Sequence, residues 1–480
     1  MRLLIVIILA FTSLNSFAQN LNVQFKMNKI HSLVVFSYSL IDIRGYSPAI
    51  KEGFEHSPFY TETVKSIIND QKKLIEDLAV YAEYRNAGTY YGDEFSVKSL
   101  IEVQASMSRD LDDLSGRIRG LLPVGVHQTF INNLKKLEPS FESFLWKPSE
   151  GELQKMVNFY SQKSTEWKLD QMFQKAKIFY GSRWDDNVPF DIVLYPIPSG
   201  SKHSNAKSFG SFESVGIVIN EKDVEGRVGV IFHEICHSLY SAQSPELKET
   251  LTSSLKIRSE NAFESGTATY LNEILATVLG NGIVYEKVRG EVDKMDWYNV
   301  SYINWGARDI LALTKKYLDE GKQIDKEYLK ALQGSFEKRF PAFDKEFSWL
   351  FSKVEIHYFK ESLNTADVRT NFKKAFRYES LSIYGVEKYL DKLVWKETDI
   401  KSKILLITKK DLVQLKRNIS ISQKVLTKLG KSKGINGAYY FSDKEKVVYL
   451  LVNDPEHLIT AFDNLSKMGT LKGSAVTEIN

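Results

Sequence analysis

Val228-Gly229-Val230-Ile231-Phe232-His233-Glu234-Ile235-Cys236-His237-Ser238-Leu239-Tyr240 is the stretch on which the reading of this chain turns. An H-E-x-x-H core sits inside an apolar, helix-like run. Residues four apart share one face of a helix, so the imidazoles of His233 and His237 can reach a single ion. Glu234, one step beyond the first histidine, is placed to hold and deprotonate a water on that ion. The competing reading is a pair of core histidines satisfied by backbone acceptors. The helical context and the strands that precede it favour the metal.

Upstream, Phe190-Asp191-Ile192-Val193-Leu194-Tyr195 reads as a strand stopped by Pro196 and Pro198, and Val215-Gly216-Ile217-Val218-Ile219 as a second. Between them Ser199 to Ser214 is an exposed loop or an edge hairpin, with His203 within it. Leu21 to Lys26 alternates like another strand, and the region from there to residue 184 is mostly helical. Downstream, Ser244-Pro245 ends the motif helix. A second helical stretch, Lys248 to Leu279, is interrupted near Ser259 and closed by Gly280-Asn281-Gly282.

A catalytic ion of this kind needs a third protein ligand and an open position for water. Tyr240 and Gln243 stand where an extended H-E-x-x-H-x-x-G-x-x-H motif requires glycine and histidine, which excludes a third histidine there. Glu260, Glu264 and Glu273 are the candidates on the following helix. Glu260 and Glu264 share a stripe with Thr267, Leu271, Ile274 and Val278. Glu273 is the only charge on the opposite stripe of Ala262, Gly266, Thr269, Ala276 and Gly280, a small-residue face that lets another helix come close. The alternative for Glu260 and Glu264 is a helix start favoured by the macrodipole, and for Glu273 a solvated surface acid.

With its downstream helical glutamate, the motif resembles the gluzincin type of zinc metallopeptidase, which includes thermolysin, neprilysin and the aminopeptidase N type. Leu271-Asn272-Glu273-Ile274-Leu275-Ala276 is similar to the L-N-E-G-F-A of aminopeptidases, whose glutamate binds zinc, although Ile274 replaces the glycine. Glu260-Asn261-x-x-Glu264 resembles the E-N-x-x-D of neprilysin, whose first acid binds zinc and whose second orients a metal-bound histidine. The resemblance implies one zinc ion held by His233, His237 and Glu273, with Glu260 or Glu264 as alternative ligand or supporting partner, and Glu234 as general base. It implies a peptide or protein substrate. Tyr298, Tyr302 and His357 are downstream candidates for steadying an oxyanion. Carried over, the fold is α+β and mostly helical, with a zincin-like core of small sheet, active-site helix and glutamate helix. An inactive zincin-fold binding protein and a zinc hydrolase of another substrate are the alternative functions. No G-A-M-E-N motif supports aminopeptidase specificity.

The remaining sequence frames this region. The 480 residues are 43% apolar and 12% aromatic, enough for large cores, and 64 basic residues against 60 acidic ones call for neither nucleic acid nor an anionic membrane surface. Met1-Arg2 followed by Leu3 to Phe11 and Ser16-Phe17-Ala18 reads as a signal peptide cut after residue 18, and the apolar run is shorter than the ~20 residues a span needs. The expectation is an exported chain, periplasmic or extracellular, with no membrane span. Cys236 is the only cysteine, so no intramolecular disulfide forms; it reads as a small buried residue. The domains expected are a helical region over 19–184, the catalytic region with C-terminal helices over 185–395, and a small α/β domain over 396–480. The last holds a strand at Lys403 to Thr408, a helix at Ser422 to Leu429, and a hairpin of Ala438 to Phe441 with Val447 to Val452.

Overall fold

A computed structural model describes residues 23–41, 46–78, 97–201, 205–255, 261–359, 362–376, 378, 380–386, 402–408, 411, 438–439, 447–452, 457–468 and 477–478. The proposed signal peptide, His203, Glu260 and the Ser422 to Leu429 helix lie outside them. The protein is α+β and mostly helical with small sheets. Its contacts divide it into two compact units, Met1–Leu255 with Thr269–Ser335, and Lys256–Ala268 with Phe336–Asn480.

The first unit begins with strand β1 (Val23–Met27) and helix α1 (Lys29–Leu40). Asn28 caps α1, its side-chain oxygen accepting from the backbone of Ile30 and His31. Every residue from Ile30 to Leu40 is buried, so α1 is a core element rather than an amphipathic one. Its serines survive burial because Ser32, Ser37 and Ser39 donate to carbonyls three or four residues back. Helix α2 (Lys147–Glu166) lays Tyr160 against Phe25 of β1, with ring centroids 5.3 Å apart, and the Tyr160 hydroxyl donates to the Val224 carbonyl ahead of the motif helix.

Strands β2 (Phe190–Ile197), β3 (Ala206–Phe209) and β4 (Phe212–Val218) complete a four-stranded sheet in the order β1-β2-β4-β3. β1, β2 and β4 run parallel, and β3 is antiparallel to β4. The segment open between loop and hairpin is thus an edge hairpin, turned at Gly210 with φ of 62°. Pro196 does not stop β2. The β1 ladder ends opposite Leu194, so the proline stands past the last residue that β1 pairs.

Helix α3 (Arg227–Ser241) carries the motif, and α4 (Pro245–Leu255) starts at Pro245 with Ser244 Oγ accepting from Leu247 N–H. Helix α5 (Ala262–Thr277) follows. It is not closed at Gly280-Asn281-Gly282; the chain widens there into a π-helical stretch, Val278–Val284, and turns again through Tyr285–Arg289 before Gly290 stops it with φ of 77°. Gly280 serves a helix contact, not a cap.

In the second unit four parallel strands lie in the order β6-β5-β7-β9, where β5 is Lys353–Phe359, β6 Ser380–Val386, β7 Ser402–Ile407 and β9 Val447–Leu451. β5 and β6 fall where the sequence pattern favoured helix. Val354, Ile356 and Tyr358 are buried on one face of β5, and Glu355 and Phe359 are buried on the other. The expected hairpin is not among the described ladders: β8 (Ala438–Tyr439) pairs with β10 (Thr477–Glu478), while β9 extends the parallel sheet beside β7. Helices Thr365–Ala375 and Leu458–Met468 meet through Phe372 and Phe462, with centroids 5.3 Å apart.

Candidate metal centre

The two motif histidines stand on one face of α3, one turn apart, with their Nε2 atoms 3.1 Å from each other. Glu273, on α5, brings its Oε2 to 3.5 Å from His233 Nε2 and 3.7 Å from His237 Nε2. Among the described residues this is the one group of three histidine, cysteine or acidic side chains with ligand atoms in such proximity, all within 4.8 Å. Ligand atoms about a tetrahedral zinc at roughly 2.0–2.1 Å would stand about 3.3 Å apart, close to this spacing.

Helix packing supplies the convergence. A Cβ on Gly280 would lie 2.4 Å from the Gly229 carbonyl oxygen and 2.5 Å from His233 N, so only glycine permits this approach of the π-helical stretch to α3. The small-residue stripe of the Glu273 helix therefore ends in a direct backbone contact with the motif helix.

Tautomers complete the donor set. Asn272 Oδ1, an acceptor only, is 3.1 Å from His237 Nδ1, so that nitrogen carries the proton and Nε2 turns a lone pair towards the cluster. His233 Nδ1 faces the Thr277 hydroxyl oxygen at 3.5 Å. When that nitrogen donates, two imidazole lone pairs and a carboxylate meet at one point, a donor set that suits a divalent cation. These residues fit zinc.

Glu234 lies beside the cluster. Burial raises its carboxyl above the ordinary value, with opposing help from His237, a further upward push from Glu273, and downward pulls from the Ser208 backbone N–H and Lys207. Ser208 and Lys207 belong to β3, so the edge strand reaches the acid of the motif. Along Phe212 to Val215, β4 lies between β2 and β3; the sheet edge on this side is β3. Tyr298 lies nearly parallel to His233, centroids 5.9 Å apart and planes at 22°, and Tyr302 stacks on Tyr270 at 5.1 Å. His357 belongs to the second unit.

The other candidates take different places. Asn261 Oδ1 accepts from Phe263 N–H at 2.9 Å and Glu264 N–H at 3.3 Å, so α5 starts there and Glu264 occupies its first turn. Glu264 is not in the metal-capable group. Cys236 is fully buried, and burial pushes its thiol far up.

Three features had no sequence signal strong enough to single them out. Glu213 of β4 is fully buried with neither carboxyl oxygen hydrogen-bonded, and burial, then Glu234, holds its carboxyl well above the usual range. Glu102, also fully buried, faces His31 at 3.4 Å and accepts from Tyr46 at 2.6 Å. Burial opposes its charge, yet Lys207, His31 and Tyr46 more than offset that and lower its carboxyl to about 2. Burial in turn lowers Lys207 to about 8, against the pull of Glu102 and Glu234. Ser214 Oγ stands 3.1 Å from His31 Nε2, but serine and Glu102 share that one ring nitrogen and all three residues are buried, so this is a structural network, not a nucleophile.

Comparison with protein-family models, with curated proteins and with solved structures gave no match.

Proposed function

We propose that the protein is an exported zinc-dependent metallopeptidase of gluzincin type, with a zincin-like core formed by the β1-β2-β4-β3 sheet, α3 and α5. The observation that carries this reading is the convergence of His233 Nε2, His237 Nε2 and Glu273 Oε2 beside Glu234. His233, His237 and Glu273 would hold the zinc, which supplies Lewis-acid polarisation of a carbonyl and a water of lowered pKa. Glu234 takes the proton from the attacking water on its carboxylate and passes it to the leaving amine. Burial raises its pKa, which strengthens it as a proton acceptor. The Ser208 N–H fixes the carboxylate from the β3 side. β3, as an edge strand, is where an extended peptide would add to the sheet, which favours a peptide over another hydrolysable substrate. No helix among the described residues is long and apolar enough to cross a membrane.

The test is zinc stoichiometry and peptide cleavage for the wild type, Glu234→Gln and Glu273→Gln. The expected result is one zinc per wild-type chain, zinc without cleavage in Glu234→Gln, and zinc loss in Glu273→Gln. A wild type that takes up no zinc overturns the proposal. Zinc uptake without cleavage of any peptide in a diverse library leaves the binding or scaffold reading instead.

A further inference from the structure

We propose that Asn272 and Thr277 are the positioning residues of the metal centre, and that they back it with uncharged acceptors only. The inference rests on the zinc reading above and concerns how tightly the ion is held. The helix that supplies Glu273 supplies both contacts: Asn272, the preceding residue, meets His237 Nδ1 at 3.1 Å, and Thr277, one turn on, meets His233 Nδ1 at 3.5 Å. Thr277 is fully buried, so its hydroxyl meets that ring without competition from bulk water. One rigid segment thus sets a ligand and the orientation of the other two.

The charge of these acceptors matters as much as their position. A carboxylate accepting from Nδ1–H makes the imidazole more basic and tightens its bond to a metal; an amide or hydroxyl oxygen orients the ring with less of that effect. Among the described residues the recorded Nδ1 partners are one amide and one hydroxyl. The ligand set would put one carboxylate against a divalent ion, and neither group behind the imidazoles would add negative charge. The centre holds its metal less tightly than a carboxylate-backed centre, and gains affinity when a carboxylate is introduced at position 272.

The experiment measures zinc affinity of the purified chain by competition with a chromophoric chelator, for wild type, Thr277→Val, Asn272→Ala and Asn272→Asp. Thr277→Val keeps the volume and removes the acceptor. The expected result is a loss of ~10- to 100-fold in affinity for Thr277→Val and for Asn272→Ala, and a gain of about tenfold for Asn272→Asp. The melting temperature of the metal-free chain stays at the wild-type value for the two losses, which a general packing defect would lower. Wild-type zinc affinity in Thr277→Val or in Asn272→Ala removes that residue from the role, and a weakened Asn272→Asp overturns the uncharged-backing argument. Each result, obtained with a wild type that binds zinc, leaves the peptidase reading standing. A wild type that binds none overturns both.

Discussion

Gly280 meets Gly229 backbone to backbone, and the same contact reaches His233 N. A methyl at Gly280 would stand 2.4 Å from the Gly229 carbonyl oxygen, inside any tolerable separation, whereas one at Gly229 would stand 3.1 Å from the Gly280 oxygen. Gly280→Ala must therefore push the Glu273 segment off the motif helix, and overpacking of this kind costs about 1–3 kcal/mol. The expected outcome is a lowered melting temperature together with zinc affinity reduced by tenfold or more, on the scale of ~1.4 kcal/mol per decade. Gly229→Ala should show a smaller loss of both. Calorimetric melts and chelator competition on the two variants check the order.

Glu102 makes acid stability readable. Its folded carboxyl is lowered to about 2 from an ordinary 4.5, so its stabilising contribution is present above 4.5 and is lost as pH falls towards 2. Glu102→Gln should be less stable than wild type at neutral pH, by on the order of 3 kcal/mol given about 1.4 kcal/mol per pH unit. The gap should close as pH falls from 4.5 to 2. Denaturant melts of both chains across that window provide the comparison, and a gap independent of pH would contradict the assignment.

Glu213 predicts the opposite slope. Its folded carboxyl lies well above 4.5, so the protonated form is the one the fold accommodates; its contribution is complete below 4.5 and is lost as pH rises through the folded value. A buried group with both oxygens unbonded is a standing cost. Glu213→Met, similar in volume and without the carboxyl, should raise stability by about 1–3 kcal/mol at neutral pH. The advantage should shrink as pH falls from neutral towards 4.5 and change no further below it. Equal stability of the two chains at neutral pH would show that Glu213 is satisfied after all.

The residues that sequence exposed are those whose spacing encodes geometry. His233 and His237 are one helical turn apart, so their common face follows from the chain alone. Glu273 stood out because it was the only charge on a stripe ending at Gly280, and the close approach that such a stripe allows is the one found against Gly229. What did not show were relationships across the fold. Nothing local marks Asn272 or Thr277 as facing imidazoles, since either residue is ordinary in a helix. Nothing local marks Glu213 or Glu102 as buried, and the fold encloses both. Pro196 read as a strand end because a sequence does not say that β1 stops opposite Leu194. The strands β5 and β6 alternate in sequence, Val354, Ile356 and Tyr358 in one and Leu381 and Ile383 in the other, but each run is short and lies among segments with helical spacing.

The edge strand offers the most selective test of the chemistry. Ser208 contributes its backbone N–H, not its side chain, to Glu234. Ser208→Ala should therefore leave peptide cleavage near wild type. Ser208→Pro removes the N–H, and because that group faces Glu234 rather than β4 the proline spares the β3–β4 ladder bond. A hydrogen bond to a charged acceptor contributes roughly 1.5–3 kcal/mol, so Ser208→Pro should lower kcat by about 10- to 100-fold. Its zinc content should equal that of the wild type, because His233, His237 and Glu273 are untouched. Loss of zinc in Ser208→Pro would mean that the strand supports the metal ligands themselves. Full activity in Ser208→Pro would mean that Glu234 needs no support from the sheet edge to act as base.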